Sequence, residues 1–132
     1  MRNLARSYLA LCAAGFLFIG FSTFHDPVAA LAGIELRPTS ISALNEVRAN
    51  YGGLQITIGM MMLAGALMQR WRRPALWIGV AVTGGLVAGR LVSIAIDGLP
   101  NHVVISLLVL ETTCALIGAT LLCWKPRDRL EC

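Results

Sequence analysis

Charge is what this sequence has least of. Lys, Arg, Asp and Glu supply 14% of its 132 residues, where a soluble domain carries about 25%. That shortage excludes a solenoid, a disordered tail and an ordinary water-soluble enzyme. Aromatic residues are also few, at 7%, and no basic stripe interleaves with them. The pI of about 9.2 is therefore no sign of nucleic-acid binding. The four cysteines, Cys12, Cys114, Cys123 and Cys132, match no zinc or haem spacing. None falls in an outer loop where oxidation is expected, so they read as small packing residues. G-x-S-x-G, H-E-x-x-H, Walker A and dinucleotide fingerprints are all missing, as is a Ser/His/Asp set with a plausible elbow. No catalytic residue is assigned. The two halves show no self-similarity, which weighs against an inverted-repeat transporter.

What is present is apolar. Hydrophobic residues make up 57% of the chain, and the mean hydropathy is +0.72. Four runs, Ser7–Phe24, Gly52–Gln69, Pro74–Ile96 and Val103–Trp124, each span about 27–35 Å as helix, enough to cross a bilayer. The expectation is one all-α domain over residues 1–132, an integral membrane four-helix bundle. Eight of the eleven basic residues (Arg2, Arg6, Arg70, Arg72, Arg73, Lys125, Arg127, Arg129) fall at the N-terminus, between the second and third runs, and at the C-terminus. Arg37 and Arg48 lie in the first long connection, with Asp26, Glu35, Glu46 and Asp97 on the same side. The positive-inside rule then places both termini in the cytoplasm, in a bacterial inner membrane. Trp71, Trp77 and Trp124 fall near the inner interface, as aromatic anchors do.

Arg2, Arg6, the first apolar run and Ala30-Leu31-Ala32 have the order of a cleavable signal peptide. The run is long for a signal, and the site lies well past Asp26-Pro27, so the first span is expected to be retained. Leu9-Ala10-Leu11-Cys12 brushes a lipoprotein box, but only about five apolar residues precede Cys12, against about 7–15 in a signal. The connection from His25 to Tyr51 is longer than a hairpin needs. Thr39-Ser40 offers an N-cap, and Ile41, Leu44 and Val47 supply a helical stripe, so an outer helical extension is expected over about residues 40–51. Val28–Ile34 is expected to lie flat on the interface.

The polar groups inside the apolar runs are the informative ones. A charge at mid-bilayer costs about 2.5–3.5 kcal/mol on insertion scales. Arg90 lies about 9 Å below the outer end of the third run and Glu111 about 12 Å below that of the fourth. Matched depth on antiparallel neighbours suggests an ion pair. Thr83, Arg90, Ser93 and Asp97 share one helix face. Arg48, Tyr51 and Gln55 make a second stripe, and Glu46, Asn50, Gly53 and Thr57 an adjacent one. Together these predict an outward-opening polar pocket lined by Glu46, Arg48, Tyr51, Gln55, Arg90, Ser93, Asp97 and Glu111. Gly85 and Gly89 form a G-x-x-x-G expected to pack helices closely, with Ala115 and Ala119 repeating the pattern on the fourth run. Met60-Met61-Met62 cannot converge on one ion, because consecutive residues point around a helix. His25 and His102, with Asp26 and Asp97 nearby, lack a metal-binding spacing, so no metal is assigned.

Glu46-Val47-Arg48-Ala49-Asn50-Tyr51-Gly52-Gly53, then Gln55, Gly89-Arg90-Leu91-Val92-Ser93 and Asp97-Gly98-Leu99-Pro100, resemble the family catalogued as domain of unknown function 4345. Phe24, Asp26 and Pro27 also look like it, and the likeness covers nearly the whole chain. It implies four transmembrane helices. It further implies that Glu46, Arg48, Tyr51, Gly53, Arg90, Ser93, Asp97 and Gly98 are shared positions, all in the outer half, and it supplies no activity.

The leading expectation is a non-catalytic membrane protein: an accessory or assembly subunit of a larger membrane complex, or a binder of a lipid-like molecule, surrounded by membrane lipids. No resident cofactor is assigned, although a bound lipid or quinone would suit the pocket. The alternative is a redox component or enzyme acting on a quinone-like amphiphile, with Arg90 holding an oxygen and Glu111 or Asp97 exchanging protons. A proton-coupled transporter fits poorly, because the inner half carries almost no ionisable group.

Overall fold

The computed structural model describes residues 2–124, and every regular element among them is helical. Lys125, Arg127 and Arg129 of the expected charge pattern, and Cys132, lie outside the described residues. Helix α1 runs Arg2–His25. Asp26 comes next and caps the second helix, its carboxylate accepting from Val28 N and Ala29 N at 3.1 and 3.0 Å. Pro27 takes the first position of α2 (Pro27–Leu31), where a missing N–H costs nothing. A 3₁₀ turn over Ala32–Ile34 ends at Glu35, which adopts a left-handed φ of 61°. Val28–Ile34 is thus a short helix and turn.

Ser40 accepts from Ala43 N at 3.1 Å and starts α3 (Ile41–Val47), the cap expected from the sequence. The helix does not stop at Val47. It continues through a π-helical stretch, Arg48–Gly53, into α4 (Leu54–Leu67). Met68 alone breaks the chain, with extended dihedrals of −112° and 121°, and α5 runs Gln69–Asp97. The reversal therefore precedes Arg70-Trp71-Arg72-Arg73, where the sequence had suggested a connection through those residues. Pro74 sits inside α5 and does not open it; its missing N–H frees only the Arg70 carbonyl, close to the helix start. Gly98, at φ 95°, ends α5 in a conformation that L side chains rarely adopt. Asn101 caps α6 (His102–Cys123), accepting from Val104 N at 3.1 Å.

Close approaches fix the packing. A Cβ on Gly20 would lie 2.7 Å from Ile56, one on Gly59 2.7 Å from Leu17, and one on Gly52 2.8 Å from Phe24. Rising positions on α1 meet falling positions on α4, so the two are antiparallel. Gly65 against Ala75 and Gly79 against Met62 set α4 antiparallel to α5, and Val80 against Gly118 with Arg90 against Glu111 does the same for α5 and α6. The core cluster of Tyr8, Leu9, Ala13, Ile58, Met62, Ala66, Ala75 and Leu76 lies toward the end where α1 and α5 begin. Gly85 and Gly89 do not pack within the chain: a Cβ on either would meet nothing within 4 Å. At about 100° per residue Gly85 lies on the far side of α5 from Gly79, Thr83 and Arg90, which turn inward, and Gly89 lies on the flank between.

Three helical stretches are long and apolar enough to cross a membrane: Asn3–His25, Gln69–Asp97 and His102–Cys123, with mean hydropathies of 1.7, 1.7 and 2.0. Helix α4 has only 14 residues of its own and gains length from the π stretch and α3.

Candidate functional site

The antiparallel contact of α5 and α6 brings Arg90 to Glu111. Nε donates to Oε2 at 2.6 Å and Nη2 donates to Oε1 at 2.8 Å, a bidentate fork. The side chains keep 23% and 12% of their surface exposed, so the pair stands at the edge of the packed interior. Because the fork uses Nε and Nη2, the remaining nitrogen, Nη1, is not engaged by Glu111.

The other residues proposed for the pocket divide. Tyr51, 39% exposed on the π stretch, lies within electrostatic reach of Arg90. The Gln55 side chain turns inward, and its Oε1 is buried without a partner. Arg48 turns to α1, where Nε donates to the Phe24 carbonyl at 3.3 Å, satisfying a carbonyl that the helix end leaves free. Glu46 stays on the exposed side of α3 and accepts from Asn50 Nδ2 at 2.8 Å. Ser93 donates to Asp97 at 3.0 Å along the exposed flank of α5. The single stripe Arg48–Tyr51–Gln55 drawn at α spacing is thus broken up. The π stretch adds a residue to the turn, as Leu54 N bonding to the Ala49 carbonyl shows, and rotates α4 relative to α3.

Sequence reasoning missed two groups here. Thr23 on α1 is 1% exposed, and its hydroxyl has no partner. Five other helix threonines (Thr57, Thr83, Thr112, Thr113, Thr120) donate to the carbonyl four residues back; Thr23 does not. Nothing in a lone Thr within an apolar run distinguishes these two states. The second is Asn101, which caps α6 and also donates from Nδ2 to the Gly33 carbonyl at 3.1 Å, tying the 3₁₀ turn to the α6 start. An Asn just after a Pro and before an apolar run is a local N-cap signal that could have found the first role, but its tertiary partner has no local signature.

Two shallow grooves lie at the opposite end of the molecule. One of about 520 Å³ is lined by Leu116, Ala119, Thr120, Cys123 and Trp124, the other of about 380 Å³ by Asn3, Arg6, Ser7, Ala10, Ala66 and Leu67. Among the described residues, no group of three or more His, Cys, Asp or Glu side chains could hold a metal ion.

A model of the family described as "Domain of unknown function (DUF4345)" matches residues 4–122. No curated protein and no solved structure matches the chain.

Proposed function

The chain belongs to the DUF4345 family, and from that premise we propose that it is a four-span bundle of the bacterial inner membrane, with both termini cytoplasmic, that binds the head of a lipid-like molecule. The binder is non-catalytic, a small subunit or carrier working beside a larger membrane complex. Its site is the polar region around the Arg90–Glu111 pair, with Tyr51 within electrostatic reach, Ser93 and Asp97 further along α5, and the unpartnered polar atoms of Gln55 and Thr23 on α4 and α1.

The observation that supports this reading is the half-open Arg90–Glu111 fork. Two charges in an apolar phase are costly, and pairing offsets the cost. A pair serving register alone needs no further polar company. Here Nη1 of Arg90 is not engaged by Glu111, and Gln55 Oε1 and the Thr23 hydroxyl are buried without partners. Unspent donors and acceptors of this kind suit a head carrying hydroxyl, ester or amide groups. Since Glu111 neutralises Arg90, the site favours an uncharged head over a phosphate. The apolar flanks, with Leu91, Val92, Val109 and Leu110 all more than half exposed, would hold the tail.

Native mass spectrometry of the protein, extracted gently from its own membrane, tests the reading. We expect a bound amphiphile in the parent, lost in Arg90→Ala and in Glu111→Ala, and retained in Gly85→Ala, which touches none of these groups. Melting curves for each variant confirm that it is folded. A parent that carries no defined adduct, or folded Arg90 and Glu111 variants that keep it, would overturn the proposal.

A further inference from the structure

A second cluster lies deeper in the packed half, away from the Arg90 region. The Tyr8 hydroxyl donates to the Cys114 carbonyl at 2.8 Å, a bond between residues 106 apart that joins α1 to α6. Gly118 makes this approach possible, since a Cβ there would lie 2.8 Å from the same hydroxyl. Cys12 sits one turn beyond Tyr8 on the same face of α1. Because α1 and α6 run in opposite directions, that turn brings it level with Cys114. Gly118 and Cys114 in turn stand one turn apart on the face of α6 that meets Tyr8, so Cys12 faces Cys114 across the two helices, and Cys12 packs against the core cluster. Both cysteines are free and only partly buried.

We propose that Cys12 and Cys114 form a dithiol that a lipid-soluble quinone oxidises to a disulfide joining α1 to α6. Both S–H bonds break and one S–S bond forms. The two protons and two electrons pass to the carbonyl oxygens of the quinone, which leaves as a hydroquinone. Compartment rules for disulfides concern thiols that meet aqueous oxidants or glutathione. A pair near the middle of two bilayer-length helices is shielded from both, and a membrane-dissolved oxidant reaches it from the side. A disulfide holds its Cα atoms about 4.4–6.8 Å apart, so oxidation would add a covalent tie beside the Tyr8–Cys114 hydrogen bond between α1 and α6. The proposal stands apart from the head-group site and does not depend on it.

The test uses the full chain in nanodiscs with Cys123→Ser and Cys132→Ser, which leaves only the two thiols in question. A short-chain benzoquinone is added, and intact mass and maleimide-reactive thiols are read after unfolding. The expected result is loss of a hydrogen pair from the mass, loss of both reactive thiols, and one hydroquinone formed per chain. Adding Cys12→Ser or Cys114→Ser should abolish all three. Phenylarsine oxide, which bridges only adjacent thiols, gives an independent reading and should add once per chain. Failure of the arsenical to bridge overturns the pairing. Bridging without oxidation by the quinone, or a covalent quinone adduct in place of the disulfide, overturns the redox role.

Discussion

Removing one member of the Arg90–Glu111 fork leaves the other charge without its counter-ion in an apolar setting. Breaking such a pair typically costs about 3–5 kcal/mol, whereas replacing both members with apolar residues of similar size is often nearly neutral. With 23% and 12% of the side chains exposed, the low end of that range applies. We therefore expect Arg90→Met and Glu111→Leu each to destabilise by about 3 kcal/mol, and the double variant to recover most of the loss. Denaturation in a mild detergent measures this, and additive losses in the double variant would show that the fork contributes little. The pairing was legible in the sequence because helix rise converts residue offsets into depth, and antiparallel neighbours share depth. The states of Thr23 and Gln55 were not, since whether a hydroxyl finds its own helix carbonyl depends on what packs beside it.

Among the elements, glycine placement separates faces that look alike in sequence. Gly20 has the Ile56 backbone nitrogen at 2.9 Å and the Gly52 carbonyl at 3.1 Å from where a Cβ would stand, so backbone meets backbone and neither can yield. A side chain there must part α1 from α4. Overpacking of this kind costs about 1–3 kcal/mol, and Gly20→Ala should lower the melting temperature accordingly. Gly85→Ala and Gly89→Ala meet open space and should be neutral or gain up to about 1 kcal/mol from helix propensity. Equal effects at Gly20 and Gly85 would refute the assignment of faces. The G-x-x-x-G spacing was visible in the sequence, yet the spacing alone does not say which side of α5 turns inward. The π stretch at Arg48–Gly53 was invisible for a related reason. Its sequence continues the helical pattern without interruption, and the extra residue is absorbed where Gly52 lets Phe24 come close.

For the whole molecule, the uneven placement of basic residues and the low burial of α5 and α6 within the chain belong together. Only 11% and 6% of their most apolar windows are buried, so their flanks suit an apolar surrounding, and the orientation proposed above rests on the charge pattern. Single-cysteine chains lacking the native cysteines report this directly. A cysteine at Asn3 or Gln69 should react with a membrane-impermeant maleimide only after the cytoplasmic face is opened. One at Glu35 or Ser42 should react in intact cells from which the outer membrane has been removed. Labelling of all four from one side would contradict the four-span arrangement.

The order of residues by itself determined that the chain is helical, that it carries helices of bilayer length, and that Arg90 and Glu111 stand at similar depth. Each rests on quantities that add along the chain: hydropathy, rise per residue and offset from a loop. The Ser40 cap was equally local, since it needs only a hydroxyl and an amide three residues on. Tertiary structure decided the rest. It moved the reversal to Met68, inserted a π turn that separates Arg48 from Gln55, turned Gly85 and Gly89 away from the packed interior, and brought the Tyr8 hydroxyl to the Cys114 carbonyl. These features depend on how helices rotate about their own axes when their surfaces meet. No single segment contains that rotation, because it is fixed by the segments packed against it.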